Sequence, residues 1–257
     1  KKYFVKMRPP TLEDPLADDQ RLLNHLAEQH GITGVDFHYE CLRDLPIIVR
    51  EGNWNVTVAV WDNKTIFAVE PGDTTDRCFG FACDIGSTKL AGFLMDLNTG
   101  KVVAVASRMN PQIPYGEDIM SRITHVMFEG WKGLDDLQKA VVGGINDMID
   151  ECCEKAGVKP EEIYETCFVG NTAMMMFFLK IWPQYVAFAP YPTPRLAGVN
   201  CPSAWIGVKS HPRANLYFLP TIGGFVGADN VANMVATRLP DSELFGMCID
   251  CLLYTSD

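Results

Sequence analysis

Asp84-Ile85-Gly86-Ser87-Thr88-Lys89 stands between two short apolar runs, Cys78–Cys83 and Leu90–Leu97, and its reading decides the fold. A carboxylate at a strand end suits hydrated magnesium, because that ion keeps its waters and prefers oxygen ligands. Glycine two positions further on lets the backbone approach a phosphate closely. Ser87 and Thr88 add hydroxyl donors, and a tight turn aims backbone N–H groups at the same oxygens. Such a set stabilises charge on a transferring phosphoryl group without covalent help from the protein. The same residues also suit an ordinary β-hairpin turn, and a motif this short does not decide between the two by itself.

Working outward, Asn98-Thr99-Gly100 separates the second run from a third strand, Val102–Ser107, which completes an antiparallel meander. Helical periodicity follows over Gly116–Phe128 and Leu134–Ala156, the second helix closed by Gly157. Cys167–Val169 reads as a buried strand that gives way at Gly170-Asn171-Thr172 to an apolar helix through Leu179. The stretch from Pro183 to Pro220 is rich in proline and poor in period, and is expected as an irregular insert. A glycine-rich turn, Gly223–Asp229, introduces a last helix through Arg238. Towards the amino end, Leu16–His30 has the pattern of a short amphipathic helix ended by Gly31. Trp54–Trp61 and Thr65–Val69 read as strands around an Asp62-Asn63 turn, and the polar Glu70–Asp76 stretch as a linker. The division expected is a small α+β domain over 1–76 and a larger α/β domain over 77–257.

Composition bounds the function. The 257 residues carry 32 acidic and 22 basic side chains, a formal charge of −10. A surface that acidic repels phosphate backbones, so no nucleic-acid partner is expected. The longest apolar runs, such as Val102–Ala106 and Met174–Leu179, fall far short of the ~18–20 residues of a membrane span. No membrane association is expected, and Lys1–Arg8 leads into Pro9-Pro10 rather than a signal-peptide core. Nine irregularly spaced cysteines, most in apolar surroundings, point to reduced thiols and a cytoplasmic location. Cys78-x4-Cys83 lacks the third cysteine of an iron–sulfur set, where Gly86 stands, and Cys248-x2-Cys251 lacks a second close pair for zinc. His125 and His211 are isolated. Met174-Met175-Met176-Phe177-Phe178 reads as a core helix, and Glu117-Asp118 as a helix start at least as readily as a general-base pair.

The order of elements around Asp84 resembles the superfamily of acetate and sugar kinases, heat-shock chaperone ATPases and actin, a ribonuclease-H-like fold in which this hairpin is the first phosphate loop. The competing P-loop sequence, G-x4-G-K-S/T, does not occur. Further stretches narrow the resemblance: Ser107-Arg108-Met109-Asn110-Pro111-Gln112, Tyr115-Gly116-Glu117-Asp118, Ser121-Arg122-Ile123, Val169-Gly170-Asn171-Thr172-Ala173-Met174 and Gly224-Phe225-Val226-Gly227-Ala228-Asp229. Pro9-Pro10-Thr11-Leu12-Glu13-Asp14-Pro15 and Glu70-Pro71-Gly72-Asp73-Thr74-Thr75 extend it to the amino end. Together, to about Asp250, they resemble the reductive activators of corrinoid proteins.

That resemblance implies a concrete chemistry. Members couple ATP hydrolysis to electron delivery, returning the cobalt of a corrinoid methyl-carrier protein or corrinoid methyltransferase from Co(II) to Co(I). ATP drives a conformational change, and the electron passes through an iron–sulfur domain. By the same resemblance Asp84 holds magnesium through water, Gly86, Ser87 and Thr88 contact phosphates, and Gly170, Asn171 and Thr172 line the cleft. Gly227 and Asp229 stand at a second cleft loop. For Gly170-Asn171-Thr172 a plain helix N-cap is an equal reading.

Three departures from the family pattern shape the expectation. No C-x4-C-x2-C set occurs, so the iron–sulfur cluster belongs to a domain missing before Lys1. Lys89 replaces a usual threonine. At the carboxyl end Met247-Cys248-Ile249-Asp250 leads towards a second phosphate loop, but Leu252 stands in place of its glycine. The tail 251–257 reads as foreign to the family pattern, as in an interrupted reading frame, and an isolated fragment with half a cleft is expected to be inert. Two rivals stay open: an actin-like small-molecule kinase, and a non-catalytic module that docks a corrinoid protein or forms a homodimer.

Overall fold

Two helical stripes and a run of valines organise the amino-terminal part of the chain. In order it holds β1 (Lys2–Lys6), α1 (Asp18–His30), β2 (Asp36–Phe37), α2 (Tyr39–Glu51), β3 (Asn55–Trp61) and β4 (Thr65–Pro71). The sheet order is β1-β3-β4-β2, antiparallel except where β2 joins β4. Leu22 and Leu26 of α1 and Leu45 and Val49 of α2 recur at helical spacing, and they pack with Val56, Val58, Val60 and Ile66 in one buried cluster. A pleated strand turns alternate residues to one face, which puts the three valines on the helix side. The computed structural model describes residues 1–241 and Met247. The strand expected at 247–250 and the tail from Cys251 therefore lie, Met247 apart, outside the described residues.

Three elements here were not expected: β1, the two-residue β2, and α2. β1 escapes notice because its five residues begin and end on lysine. α2 carries Pro46 in its interior, where a missing N–H usually argues against a helix. Within the Glu70–Asp76 stretch, β4 runs on to Pro71 and the turn after it is tied back to β3. The buried Thr57 hydroxyl donates to the Gly72 carbonyl at 2.8 Å and accepts from Thr74 N at 2.9 Å.

The chain divides into two compact units, Lys1–Phe79 with Asp96–Gly100, and Gly80–Met95 with Lys101 onward. The larger unit is built from β5 (Phe79–Ile85), β6 (Lys89–Asp96), β7 (Lys101–Met109), α3 (Ile119–Glu129), α4 (Trp131–Ala156), β8 (Ile163–Gly170), α5 (Thr172–Phe178), β9 (Val199–Pro202), α6 (Ser203–Ile206), β10 (Asn215–Phe218) and α7 (Ala228–Thr237). Its sheet runs β7-β6-β5-β8-β10-β9, so β5 lies inside the sheet between the meander and the later strands. β10 is parallel to β8 and antiparallel to β9. This is the mixed α/β, actin-like arrangement that the meander pointed to.

α4 buries Leu134, Leu137, Val141, Ile145, Met148 and Cys152 along one stripe and ends at Gly157 with φ 64°. Phe168 of β8, Phe178 of α5 and Phe218 of β10 form an aromatic chain with centroid spacings of 4.5 and 6.1 Å. The expectation of an irregular insert from Pro183 to Pro220 is corrected: β9, α6 and β10 lie within it. The buried Leu216 and Phe218 alternate with the half-buried Asn215 and Tyr217, but four residues of alternation between prolines give a weak signal. α3 begins at Ile119 rather than Gly116, because Asp118 caps it. Ser121 N donates to the Asp118 carboxylate at 2.7 Å, and the Asp118 N–H donates to Ser121 Oγ at 3.1 Å.

Candidate functional site

β5 and β6 are joined by Gly86-Ser87-Thr88 alone, and the tightness of that turn requires glycine. A Cβ on Gly86 would stand 2.5 Å from the Lys89 carbonyl oxygen. Along β5, Cys83 and Ile85 are buried while Asp84 between them is exposed, so the strand delivers its carboxylate to the surface at the mouth of the turn. Burial, reinforced by the Asp84 charge, pushes the Cys83 thiol up, and it stays protonated beneath the loop.

The loop is held from behind by three buried polar residues. Asn110 Nδ2 donates to the Gly86 carbonyl at 2.8 Å, and Asn110 N donates to the Thr88 carbonyl at 2.8 Å. Arg122 Nη2 donates to the Ser87 carbonyl at 2.6 Å, while its Nε donates to the Gly116 carbonyl at 2.8 Å. Gln112 accepts from Arg122 Nη1 at 3.3 Å and donates to the Leu137 carbonyl at 3.0 Å. A trans peptide points its C=O and the following N–H in opposite directions. With the Gly86 and Ser87 carbonyls turned inward, the N–H groups of Ser87 and Thr88 are turned outward. Outward-facing consecutive N–H groups form an anion-binding concavity.

Gly170 brings a second loop against the end of β5, and Gly227 brings a third against the second. A Cβ on Gly170 would lie 2.7 Å from the Ile85 carbonyl oxygen, and one on Gly227 would collide with Asn171 Cα and the Gly170 carbonyl. The segments around Gly86, Gly170 and Gly227 are therefore contiguous in space, although they span more than half of the chain. The individual side chains differ in what they leave available. Asn171 uses its oxygen to cap α5, accepting from Met174 N at 3.0 Å, which leaves its amide donors. Thr172 is fully buried and donates to the Gly223 carbonyl at 2.5 Å. Asp229 is half-buried in the first turn of α7 and accepts from Asn230 N at 2.8 Å. Lys89 is exposed.

An open hollow of about 310 Å³ adjoins Asp84, walled by Ala82, Phe93, Val169, Leu219 and Val235. Its lining is almost wholly apolar. A second cleft, between Ile119, Ile123, Asn171 and Phe225, holds about 30 Å³ and admits little beyond a water. Among the described residues no three of His, Cys, Asp and Glu cluster as a metal cage. Magnesium held by one carboxylate, its own waters and phosphate needs no such cage. Burial pushes Cys153 and Cys167 up to about 11. No helix among the described residues is long and apolar enough to cross a membrane.

The role of Asn110, Gln112 and Arg122 was not visible in the sequence beyond their place in a family-like pattern. A signal existed: Arg122 shares a helical stripe with the buried Ile123 and Val126, and a cation on an apolar stripe demands a buried acceptor.

A mixed α/β unit whose central hairpin carries a braced, glycine-tight loop beside an exposed carboxylate defines the class of actin-like domains. Within that class the chain belongs to the RACo family, the reductive activators of corrinoid proteins: residues 79–242 match the RACo middle region and residues 1–76 the RACo linker region. It is 29% identical over 250 residues to the corrinoid activation enzyme RamQ of Eubacterium limosum, covering 95% of this chain and 37% of that one. It superposes on the solved structure of a reductive activator for corrinoid, iron–sulfur protein with a TM-score of 0.84 and 32% identity, covering 95% of this chain and 39% of that one. The chain thus spans well under half the length of these relatives.

Proposed function

We propose that this chain forms the phosphate side of the nucleotide site in an ATP-dependent activator that delivers an electron to a corrinoid methyl-carrier protein. The observation that carries the reading is the inward tethering of the Gly86 and Ser87 carbonyls, which turns the Ser87 and Thr88 N–H groups outward beside the Asp84 carboxylate. Asp84 would hold magnesium through its waters, and the hydroxyls of Ser87 and Thr88 would join the backbone donors on the phosphates. Gly170 and Gly227 keep their loops in close backbone contact, and the Asn171 amide and the Asp229 carboxylate would border the same cleft. ATP hydrolysis would supply the driving force for a conformational change; the single electron that takes Co(II) to Co(I) would come from a low-potential iron–sulfur donor, for which the described residues offer no ligand set.

The test is reductive activation by the full-length chain, with a corrinoid carrier protein, a strong reductant and Mg-ATP, followed by the absorbance of cob(I)amide. Co(I) is expected to accumulate only with ATP, and Asp84→Asn to slow it by about a hundredfold, the scale for loss of one charge-stabilising group. Equal Co(I) formation without ATP, or an unaffected Asp84→Asn variant, would remove the reading.

A further inference from the structure

The sequence stretches Asn110-Pro111-Gln112 and Ser121-Arg122-Ile123 make no direct contact in the proposed chemistry, since Asn110, Gln112 and Arg122 are buried. Their geometry nevertheless converges on one target. Asn110 and Arg122 come from different parts of the chain, the end of β7 and the first turns of α3, and both donate to the carbonyls of the same three-residue loop. Both also reach the Met174 sulfur, at 3.8 and 3.6 Å, so the same pair touches the start of α5 behind the Gly170 loop.

We infer that Asn110 and Arg122 are positioning residues for phosphate: they hold the Gly86 and Ser87 carbonyls inward, and thereby fix the Ser87 and Thr88 N–H groups towards an anion. The inference rests on the nucleotide reading of this loop and names the groups that preorganise it. Arg122 is fully buried, yet its hydrogen bonds go to two backbone carbonyls, an amide oxygen and a thioether. The Asp118 carboxylate lies within electrostatic reach but takes none of these hydrogen bonds, and burial outweighs it, so holding the guanidinium on neutral acceptors is costly in a fold that has only stability to gain. It becomes intelligible where the opposite side of the loop receives negative charge, because the cation then lies one peptide layer behind the phosphates in a poorly screened interior. The forked planar donor also spans Gly116 and Ser87 together, which an ammonium does not.

Binding of Mg-ATP and of adenosine to the full-length chain and to Arg122→Lys, Arg122→Met and Asn110→Asp, with thermal melts of each, tests this. Asn110→Asp keeps the size of the side chain and its acceptor for Gln112 N, but loses the donor to Gly86. Affinity for Mg-ATP is expected to fall at least about tenfold in each variant, the equivalent of about 1.4 kcal/mol, and furthest in Arg122→Met. Adenosine, which carries no phosphate, is expected to keep its affinity. Equal loss for both ligands would make these residues merely structural, and no loss for either would remove them from the site. If Arg122→Lys does not fold, the isosteric Asn110→Asp decides. Should the unaltered chain bind no Mg-ATP, the nucleotide reading itself falls and the inference with it; binding by the unaltered chain with indifferent variants sinks the inference alone.

Discussion

Gly227 lies directly against Asn171: a Cβ there would stand 2.9 Å from the Asn171 carbonyl carbon and closer still to its Cα. Both obstacles are backbone, which cannot swing aside. Gly227→Ala is therefore expected to cost about 1–3 kcal/mol, the usual range for overpacking. It should also push the α7 loop away from the Gly170 turn. Urea unfolding gives the first effect, and weakened Mg-ATP binding by the folded fraction the second. An unchanged midpoint would show that the two loops are not in register as described.

Neighbouring glycines in α4 are expected to respond in opposite directions. Gly143 is exposed, with nothing near the position of a Cβ, so Gly143→Ala should stabilise by about 0.5–1 kcal/mol through helix propensity. Gly144 is buried, and its Cβ would meet Pro111 Cγ at 2.9 Å and Leu90 Cδ1 at 3.3 Å. Gly144→Ala should destabilise despite the same gain in propensity. Thermal melts of the two variants check the sign of each.

Thr172→Val probes the division of labour in the cleft. The hydroxyl is buried on the Gly223 carbonyl, and a valine of the same shape leaves that acceptor unpaired. A loss of about 1–3 kcal/mol in stability follows, with Mg-ATP affinity per folded molecule nearly unchanged. A large specific loss of ATP binding with normal stability would instead make Thr172 a direct ligand.

Acid should weaken the start of α3. Hydrogen bonds from Ser121 backbone and side chain hold the Asp118 carboxyl below its ordinary value. A depressed folded pKa means the stabilisation is fully present above the unfolded value near 3.9 and is lost as pH falls through the folded one. Asp118→Ala should thus melt lower than the unaltered chain at pH 7 and converge with it in strong acid. Melting curves across that range check it.

The cysteines should be poor nucleophiles. With Cys153 and Cys167 pushed up to about 11 by burial, only about one molecule in a thousand carries the thiolate at pH 8. Iodoacetamide at that pH should leave both unmodified over a time that labels a free thiol, and should label them after unfolding. Rapid modification of the folded chain would contradict the burial of Cys153 and the raised pKa of the half-buried Cys167.

What the sequence disclosed followed the range of the signal. The β5–β6 hairpin, the long α4 and the Gly157 stop were legible because each is written within a few neighbouring residues. α2 was not, although Cys41, Leu45 and Val49 form a stripe, because Pro46 argues locally for a break that the surrounding packing overrides. β10 was lost among prolines, since its pairing with β8 joins residues about fifty positions apart. The same distance hid the brace: the Arg122–Ser87 bond spans 35 positions, and nothing in the α3 sequence says which carbonyl a buried guanidinium will meet. Chemistry singled out Asp84 and Gly86 as candidates, whereas the contacts of Asn110 and Arg122 emerged only from geometry.

The contiguity of the Gly86, Gly170 and Gly227 loops also sets a timetable during synthesis. The hairpin around Ser87 can close soon after it leaves the ribosome, but the loop that packs on Asn171 is made about 140 residues later, roughly 7–28 s at ~5–20 residues per second. Over the first part of that interval Ile85 lacks the Gly170 turn, and Phe168, once made, waits for the Phe178 ring and the Phe218 ring that packs on it. The nascent chain is then most exposed to misassembly, and any ligand that needs all three loops cannot yet stabilise it.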